Sequence, residues 1–422
     1  MRNALEITDC MSRHPQHKTQ APAEAPGEIR LARSARNLGT SGLREVMDLA
    51  SRPGVLSFAV GLPATELFPR EALAEVTERA MRTNPAALQY TLPLRELKEQ
   101  IVEIMALRGV RCRPEQVFLT AGAQQAMDLL IHLLLDPGGQ VMVEDTIYDG
   151  IRQAVRRFEP RLLAIPTHGT TGIDVDAVAA ALAGGARPAF LYLIPEGHNP
   201  LGVSLPPWSR ERLIELAREY RFPLIEDDAY GLLGAKESTP PALRAVEEDW
   251  VLYVGSFSKI LAPGLRAGWA VVPESLIPRL SMLKHASDID APSIGHHAVA
   301  AYLATGQLPA HLEKLRAEYR RRREVMMEAL ASHMPSGVRW NRPTGGFYIW
   351  VELPRSLDAT AVLRVAAESE QVAFTPGEAF AAAEGAPLRH CLRLSFGNCS
   401  PERIEEGVRR LGRVLGPLVA ES

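Results

Sequence analysis

The chain has 422 residues, 46% of them hydrophobic, which at ~150 residues per domain allows roughly two or three domains around a large core. Its 47 basic and 50 acidic side chains nearly cancel, to a formal charge of -3 and a pI of about 6.4, which argues against a nucleic-acid partner or an anionic membrane surface. The four cysteines, Cys10, Cys112, Cys391 and Cys399, form neither a C-x-x-C pair nor a zinc spacing, and no apolar run approaches the ~18 residues of a membrane-spanning helix.

Residues 1–27 are polar and proline-rich, bury little, and are expected to form a disordered arm rather than a signal peptide. With free thiols, this points to the cytoplasm. Leu43, Val46, Met47 and Ala50 recur at helical spacing, and Arg52-Pro53-Gly54 ends that helix. Residues 55–60 read as a short strand, and 71–82 and 94–108 as amphipathic helices, the second carrying Leu94, Leu97, Ile101 and Ile104 on its buried stripe. Strand-like runs then begin near Val117, Val141, Leu162, Ala189, Pro223, Trp250 and Gly268, with helices over 124–135, 175–182 and 210–220. This alternation predicts an α/β fold with a seven-stranded, mostly parallel sheet covered on both faces. A long helical region over 294–334 comes next, and its run Arg320-Arg321-Arg322-Arg323 reads as a solvated face. Gly345-Gly346 leads into a strand over 347–351. The expected division is a large domain over 66–298, and a smaller α+β domain from 28–65 with 299–422, including a long interdomain helix.

In an open parallel sheet, ligands bind beyond the carboxyl ends of the strands, and the unusual polar residues fall there. Ser256, Ser258, Lys259 and Arg266 come after the apolar run 250–254: two hydroxyls and a guanidinium suited to a phosphate, beside an amine able to form an imine. An exposed loop with a surface lysine is the alternative. Gly122, Ala123 and Gln124 open a helix whose N–H groups could face a phosphate, although small residues also serve helix–sheet packing. Tyr148 could stack on a flat ring or simply pack. Asn199 lies in a turn that Asn-Pro chemistry alone would justify. Glu226-Asp227-Asp228 end a buried strand, where three acids are costly unless paired. One of them could hold a pyridinium nitrogen protonated, or all three could form a salt-bridge cluster. Together the five clusters provide what a pyridoxal 5'-phosphate (PLP) site needs.

With these clusters in this order, the chain resembles the fold-type I PLP enzymes of the aminotransferase class I/II family, nearest the 2-aminoadipate, kynurenine and aromatic aminotransferase branch. The likeness runs over about residues 43–411. It rests on LREVMDLASRPGVLSFAVGLPATELFP, TAGAQQAMDLL, EDDAY, SFSKILAPGLRAGW and RLSF in that order. The resemblance implies that Lys259 is joined to the cofactor aldehyde and moves the substrate Cα proton, that Asp227 pairs with the ring nitrogen, and that Tyr230 and Asn199 bond the ring hydroxyl. It implies that Tyr148 stacks on the ring, and that Gly122, Ala123, Gln124, Ser256, Ser258 and Arg266 hold the phosphate. Tyr90 would reach the phosphate of a neighbouring subunit in a homodimer. Arg393 would grip the substrate carboxylate, near Asn199 and Gly61, and Arg44 aligns with an arginine that meets acidic side chains in some relatives.

Two departures bear on the reaction. The stretch from Tyr90 to the next helix is several residues shorter than usual, and the turn before Asn199 carries Glu196 and His198 where neutral residues are common. His198 reads as a surface histidine or as a proton shuttle. The expected activity is amino transfer between an α-amino acid and a 2-oxo acid. Elimination, replacement, cyclisation or decarboxylation on the same scaffold is the alternative. A non-catalytic effector domain of a transcription regulator is disfavoured, because only about 40 residues precede the likeness and they show no helix-turn-helix pattern.

Overall fold

The seven predicted strands all form, and they form one sheet. In the computed structural model the described residues are 29, 31–36, 43–90, 92–235, 239–289, 293–383 and 387–421; the predicted N-terminal arm lies outside them. The strands are β1 (Val117–Thr120), β2 (Gln140–Glu144), β3 (Arg161–Ile165), β4 (Leu191–Leu193), β5 (Leu224–Asp227), β6 (Val251–Ser256) and β7 (Gly268–Val271). Their spatial order is β1-β7-β6-β5-β4-β2-β3. Pairing is parallel except for β7, which runs antiparallel to both β6 and β1. Strands β1, β4, β5, β6 and β7 are buried at every position, as expected of strands covered on both faces.

The reversal of β7 brings its first residues to the ligand-binding edge of the sheet. Gly268 at its start pairs with Ser256 at the end of β6 and with Thr120 at the end of β1. The residues just before β7, Arg266 among them, therefore lie at the same sheet edge as the carboxyl ends of the parallel strands.

A second sheet of four antiparallel strands is formed by β8 (Arg339–Trp340), β9 (Tyr348–Glu352), β10 (Thr375–Pro376) and β11 (Cys391–Ser395), in the order β8-β9-β11-β10. A separate two-residue pair joins Leu56–Ser57 to Val372–Ala373, so the strand expected over 55–60 is shorter than read. The long helical region is also divided, into Ser293–Leu303 and Leu308–His333. Gly306, at φ +71°, ends the first helix, and Pro309 fits the opening turn of the second. The arginine run on that second helix is not wholly solvated. Arg320 and Arg321 are exposed, but Arg322 is 2% exposed. Its Nε donates to Glu318 at 2.8 Å and its Nη1 to the Gly397 carbonyl at 2.8 Å, and it pairs with Glu66. One step of ~100° per residue turns a single member of the run inward.

Candidate active site

The carboxyl edge of the large sheet opens into a cavity of about 430 Å³, whose walls include Gly61, Tyr148, Asn199, Asp227, Tyr230, Lys259, Tyr348 and Arg393. At its floor, Gly122 has φ +88°, and a Cβ there would meet the Arg266 guanidinium at 2.7 Å. Gly268 lies so close to Gly122 that its own Cβ would meet that backbone at 2.6 Å. Two glycines thus let β1, β7 and the helix Ala123–Leu134 converge. Arg266, itself in the left-handed region at φ +48°, donates from Nη2 to the Ala121 carbonyl at 2.7 Å. Ser256 Oγ donates to Ser258 Oγ at 3.0 Å. The floor is a ring of donors at a helix N-terminus, the chemistry of an anion cup. Above it, Gln124 Nε2 donates to the Gly150 carbonyl at 3.0 Å, and the half-buried Tyr148 ring lies over Gly150. Burial raises the Tyr148 phenol to about 12.

The three acids at the end of β5 have different surroundings. Glu226 accepts the Leu243 and Arg244 N–H groups at 2.7 and 2.9 Å. Asp228 pairs with Arg108 Nε at 2.7 Å and also accepts Tyr253 Oη at 3.0 Å and the Gly231 N–H at 2.9 Å. Both are internal structure. The Arg108–Asp228 pair is 3% and 1% exposed in its side chains. Arg108→Ala should therefore cost about 3–5 kcal/mol in urea unfolding, because it leaves a buried charge short of its partner; a loss under about 1 kcal/mol would contradict that account. Asp227 differs. Its Oδ2 accepts from Tyr192 Oη at 2.7 Å, but its Oδ1 is buried with no partner among the described residues, and the side chain lines the cavity. Burial, only partly offset by the Tyr192 bond, raises its carboxyl to about 6. A buried carboxylate oxygen left open toward a cavity fits a cation from outside the chain.

Lys259 Nζ reaches across to the Gly61 carbonyl at 2.8 Å. Burial first, and then the charge of Arg393, lower its amine to about 8, so an appreciable fraction is neutral and nucleophilic near neutral pH. Arg393, on β11, is 5% exposed. Its Nη1 donates to Asn199 Oδ1 at 2.8 Å, its Nη2 donates to the Ala59 carbonyl and, at 3.4 Å, to Thr375 Oγ1. Its guanidinium lies over the rings of Tyr348 and Phe380, at 4.5 and 4.7 Å. The Nε atom is buried without a partner among the described residues. A guanidinium braced from three sides with a donor left open suits a carboxylate.

Two residues singled out by their unusual turn do not enter this cavity. His198 is 3% exposed, not at the surface, and its Nε2 bonds Glu144 Oε2 at 2.9 Å. Its Nδ1 faces the Leu201 N–H at 3.4 Å. Both ring nitrogens are engaged within the fold and the side chain does not line the cavity, so the proton-shuttle reading has no geometric support. Glu196 pairs with Arg210, on the far side of the turn. Tyr90 is 75% exposed and lies on a different surface, and the Arg44 side chain lies outside the described residues. Conversely, Tyr192, Tyr348 and Thr375 belong to the site in addition to the expected residues. A tyrosine inside a doubly covered strand needs a partner for its hydroxyl, and that requirement is the sequence signal for Tyr192 and Tyr348.

A family model described as aminotransferase class I and II matches residues 53–411. The chain belongs to that family. The 2-aminoadipate transaminase of Thermus thermophilus is 40% identical over 398 residues, 92% of this chain and 97% of that protein. Among solved structures, that of the α-aminoadipate aminotransferase LysN from Thermus thermophilus, complexed with N-(5'-phosphopyridoxyl)-L-leucine, aligns with TM-score 0.85 and 38% identity over 93% of this chain and 98% of that one. Pyrococcus horikoshii kynurenine aminotransferase gives TM-score 0.86 and 33% identity over 92% and 97%. The chain is thus a fold-type I, PLP-dependent aminotransferase.

The residues of this aminotransferase fit the cofactor, by the open Oδ1 of Asp227, the glycine-formed anion cup and the lowered amine of Lys259. When bound, PLP supplies an aldehyde for amine capture and a cationic ring that takes up the electron pair released at the substrate Cα. The protein supplies the rest. With it bound, Asp227 would offer negative charge where the ring must stay cationic, Lys259 would offer an amine able to hold and return a proton, and Arg393 would orient a carboxylate within the same cavity.

Proposed function

We propose that this aminotransferase takes its amino group from α-amino acids with apolar or aromatic side chains. The observation that carries the reading is the cavity wall near the helix Leu43–Ala50, where Val46, Met47, Val60 and Met127 are apolar and Arg393 is the guanidinium available to the substrate carboxylate. In this reading Lys259 holds the cofactor and carries the Cα proton, Asp227 pairs with the ring nitrogen, and Asn199 and Tyr230 bond the ring hydroxyl. Tyr148 stacks on the ring. Gly122, Ala123, Gln124, Ser256, Ser258 and Arg266 hold the phosphate, and Arg393, with Gly61, receives the substrate. Besides these apolar donors, an acidic one such as the 2-aminoadipate named for the Thermus relative would be admitted through Arg44. Amino transfer is favoured over elimination because the unusual groups, Glu196 and His198, are engaged with Arg210 and Glu144 rather than with the cavity.

The working unit in this reading is a homodimer in the cytoplasm. Tyr90, Leu92 and Ile289 are 75%, 88% and 59% exposed and border one hollow, an apolar surface that a second copy would cover while Tyr90 reaches the partner's phosphate site. Among the described residues no helix is long and apolar enough to cross a membrane.

The test is amino donation by a panel of amino acids to 2-oxoglutarate, with each 2-oxo product identified by mass. L-Leucine should exceed L-alanine in kcat/KM by more than about tenfold, as the further carbons of its side chain at ~0.8 kcal/mol each predict. Arg44→Ala should depress 2-aminoadipate turnover while sparing leucine. Equal rates for leucine and alanine, or a 2-oxo acid released together with ammonia and without glutamate formed from 2-oxoglutarate, would overturn the reading.

A further inference from the structure

Tyr348 opens β9 just after the Gly345-Gly346 turn and is 1% exposed, yet it lines the cavity. Its hydroxyl lies 2.7 Å from that of Tyr230, with the two rings edge to face at 5.9 Å. Space for this contact depends on Gly61, where a Cβ would come within 2.1 Å of the Tyr348 hydroxyl oxygen. The charged and titratable groups around the pair are Arg393 on β11, over the Tyr348 ring at 4.5 Å, Asp227 on β5, Tyr148, and Lys259, whose amine bonds the Gly61 carbonyl.

Two phenols in contact hold two protons but share only one bond. If Tyr348 donates, the Tyr230 proton is free to point into the cavity; if Tyr230 donates, it is not. Burial raises both phenols; after burial, the foremost influence on Tyr348 is the Arg393 guanidinium 4.5 Å over its ring, which opposes the rise, whereas the foremost on Tyr230 is Tyr348, which adds to it. Tyr348 is therefore the more acidic partner and the better donor, and a donated bond polarises the acceptor's own O–H.

We propose that Tyr348 is a positioning residue for Tyr230: its hydroxyl donates to the Tyr230 oxygen, turns the Tyr230 proton into the cavity and strengthens Tyr230 as a donor. This rests on the reading that Tyr230 faces the hydroxyl oxygen of the cofactor ring. A stronger donor there takes up more of that oxygen's negative charge, which is then less available to stabilise a proton on the nitrogen that would join Lys259 to the cofactor.

The experiment is a spectral titration of the holoenzyme without substrate, in the wild type, Tyr348→Phe, Tyr230→Phe and the double variant. Tyr348→Phe should raise the pH midpoint of the visible absorbance change by about 0.3–0.6 of a unit, the size expected of losing one cooperative bond. Tyr230→Phe should raise it further, and the double variant should match Tyr230→Phe alone. A midpoint moved by Tyr230→Phe but not by Tyr348→Phe overturns the proposal, as does an equal Tyr348→Phe shift with or without the Tyr230 hydroxyl. A midpoint that Tyr230→Phe leaves in place instead removes the assignment of Tyr230 to the ring oxygen.

Discussion

Lys259→Ala should abolish covalent retention of PLP: borohydride treatment of the wild type adds the reduced cofactor's mass to the peptide containing position 259, and treatment of the variant adds none. Turnover should fall by at least about 10⁴-fold, the upper range for a positioned proton-transfer group, because in the proposed role the same amine both captures the cofactor and moves the Cα proton. The pH dependence of capture separates this amine from the other lysines. Its conjugate acid is lowered to about 8 by burial and by Arg393, against 10.5 for an ordinary lysine. The ammonium form cannot attack an aldehyde, so the rate of PLP capture by the apoprotein should rise with pH and level off above about 8. In Arg393→Gln the repelling charge is gone, and the inflection should move upward. An inflection near 10.5 in the wild type would mean that the amine is solvated and the cavity is not the site of capture.

The sheet is legible in the sequence because its signal is one-dimensional. Seven apolar runs separated by helical spacing can only be buried as a doubly covered sheet, and all seven starts lie within a few residues of the observed strands. The cluster of polar residues at strand ends is readable for the same reason, since topology fixes where the ends of parallel strands meet. The partner of each polar group is what a linear pattern leaves open. Asp227 and Asp228 are neighbours of the same type, and only the three-dimensional positions of Arg108, Tyr253 and Tyr192 separate the paired acid from the open one. His198 escapes a local reading for that reason too: its partner, Glu144, lies 54 positions away on another strand. Tyr348 reaches Tyr230 across 118 positions through a space made by Gly61, a coincidence of three segments that no local pattern records.

Asp227→Asn should leave a folded protein that still binds PLP through the anion cup and Lys259, but turns over about 10²- to 10⁴-fold more slowly. That magnitude corresponds to removing one partner of a buried ion pair, about 3–5 kcal/mol, here felt when the ring must accept the electron pair from Cα. The asparagine keeps the size of the side chain and can still accept from Tyr192 Oη, so the packing around β5 has little reason to change. The amide has no charge with which to hold the ring nitrogen protonated, and its NH₂ would face that position as a donor. Removing Tyr192 is the milder case. Tyr192→Phe deprives Asp227 of the hydrogen bond that counters its burial, so the carboxyl, already raised to about 6, should rise further. Activity in that variant should therefore fall on the acid side of the profile first, where the carboxylate is lost to protonation, and approach wild type at higher pH. A uniform loss at all pH values would indicate that Tyr192 acts by packing alone.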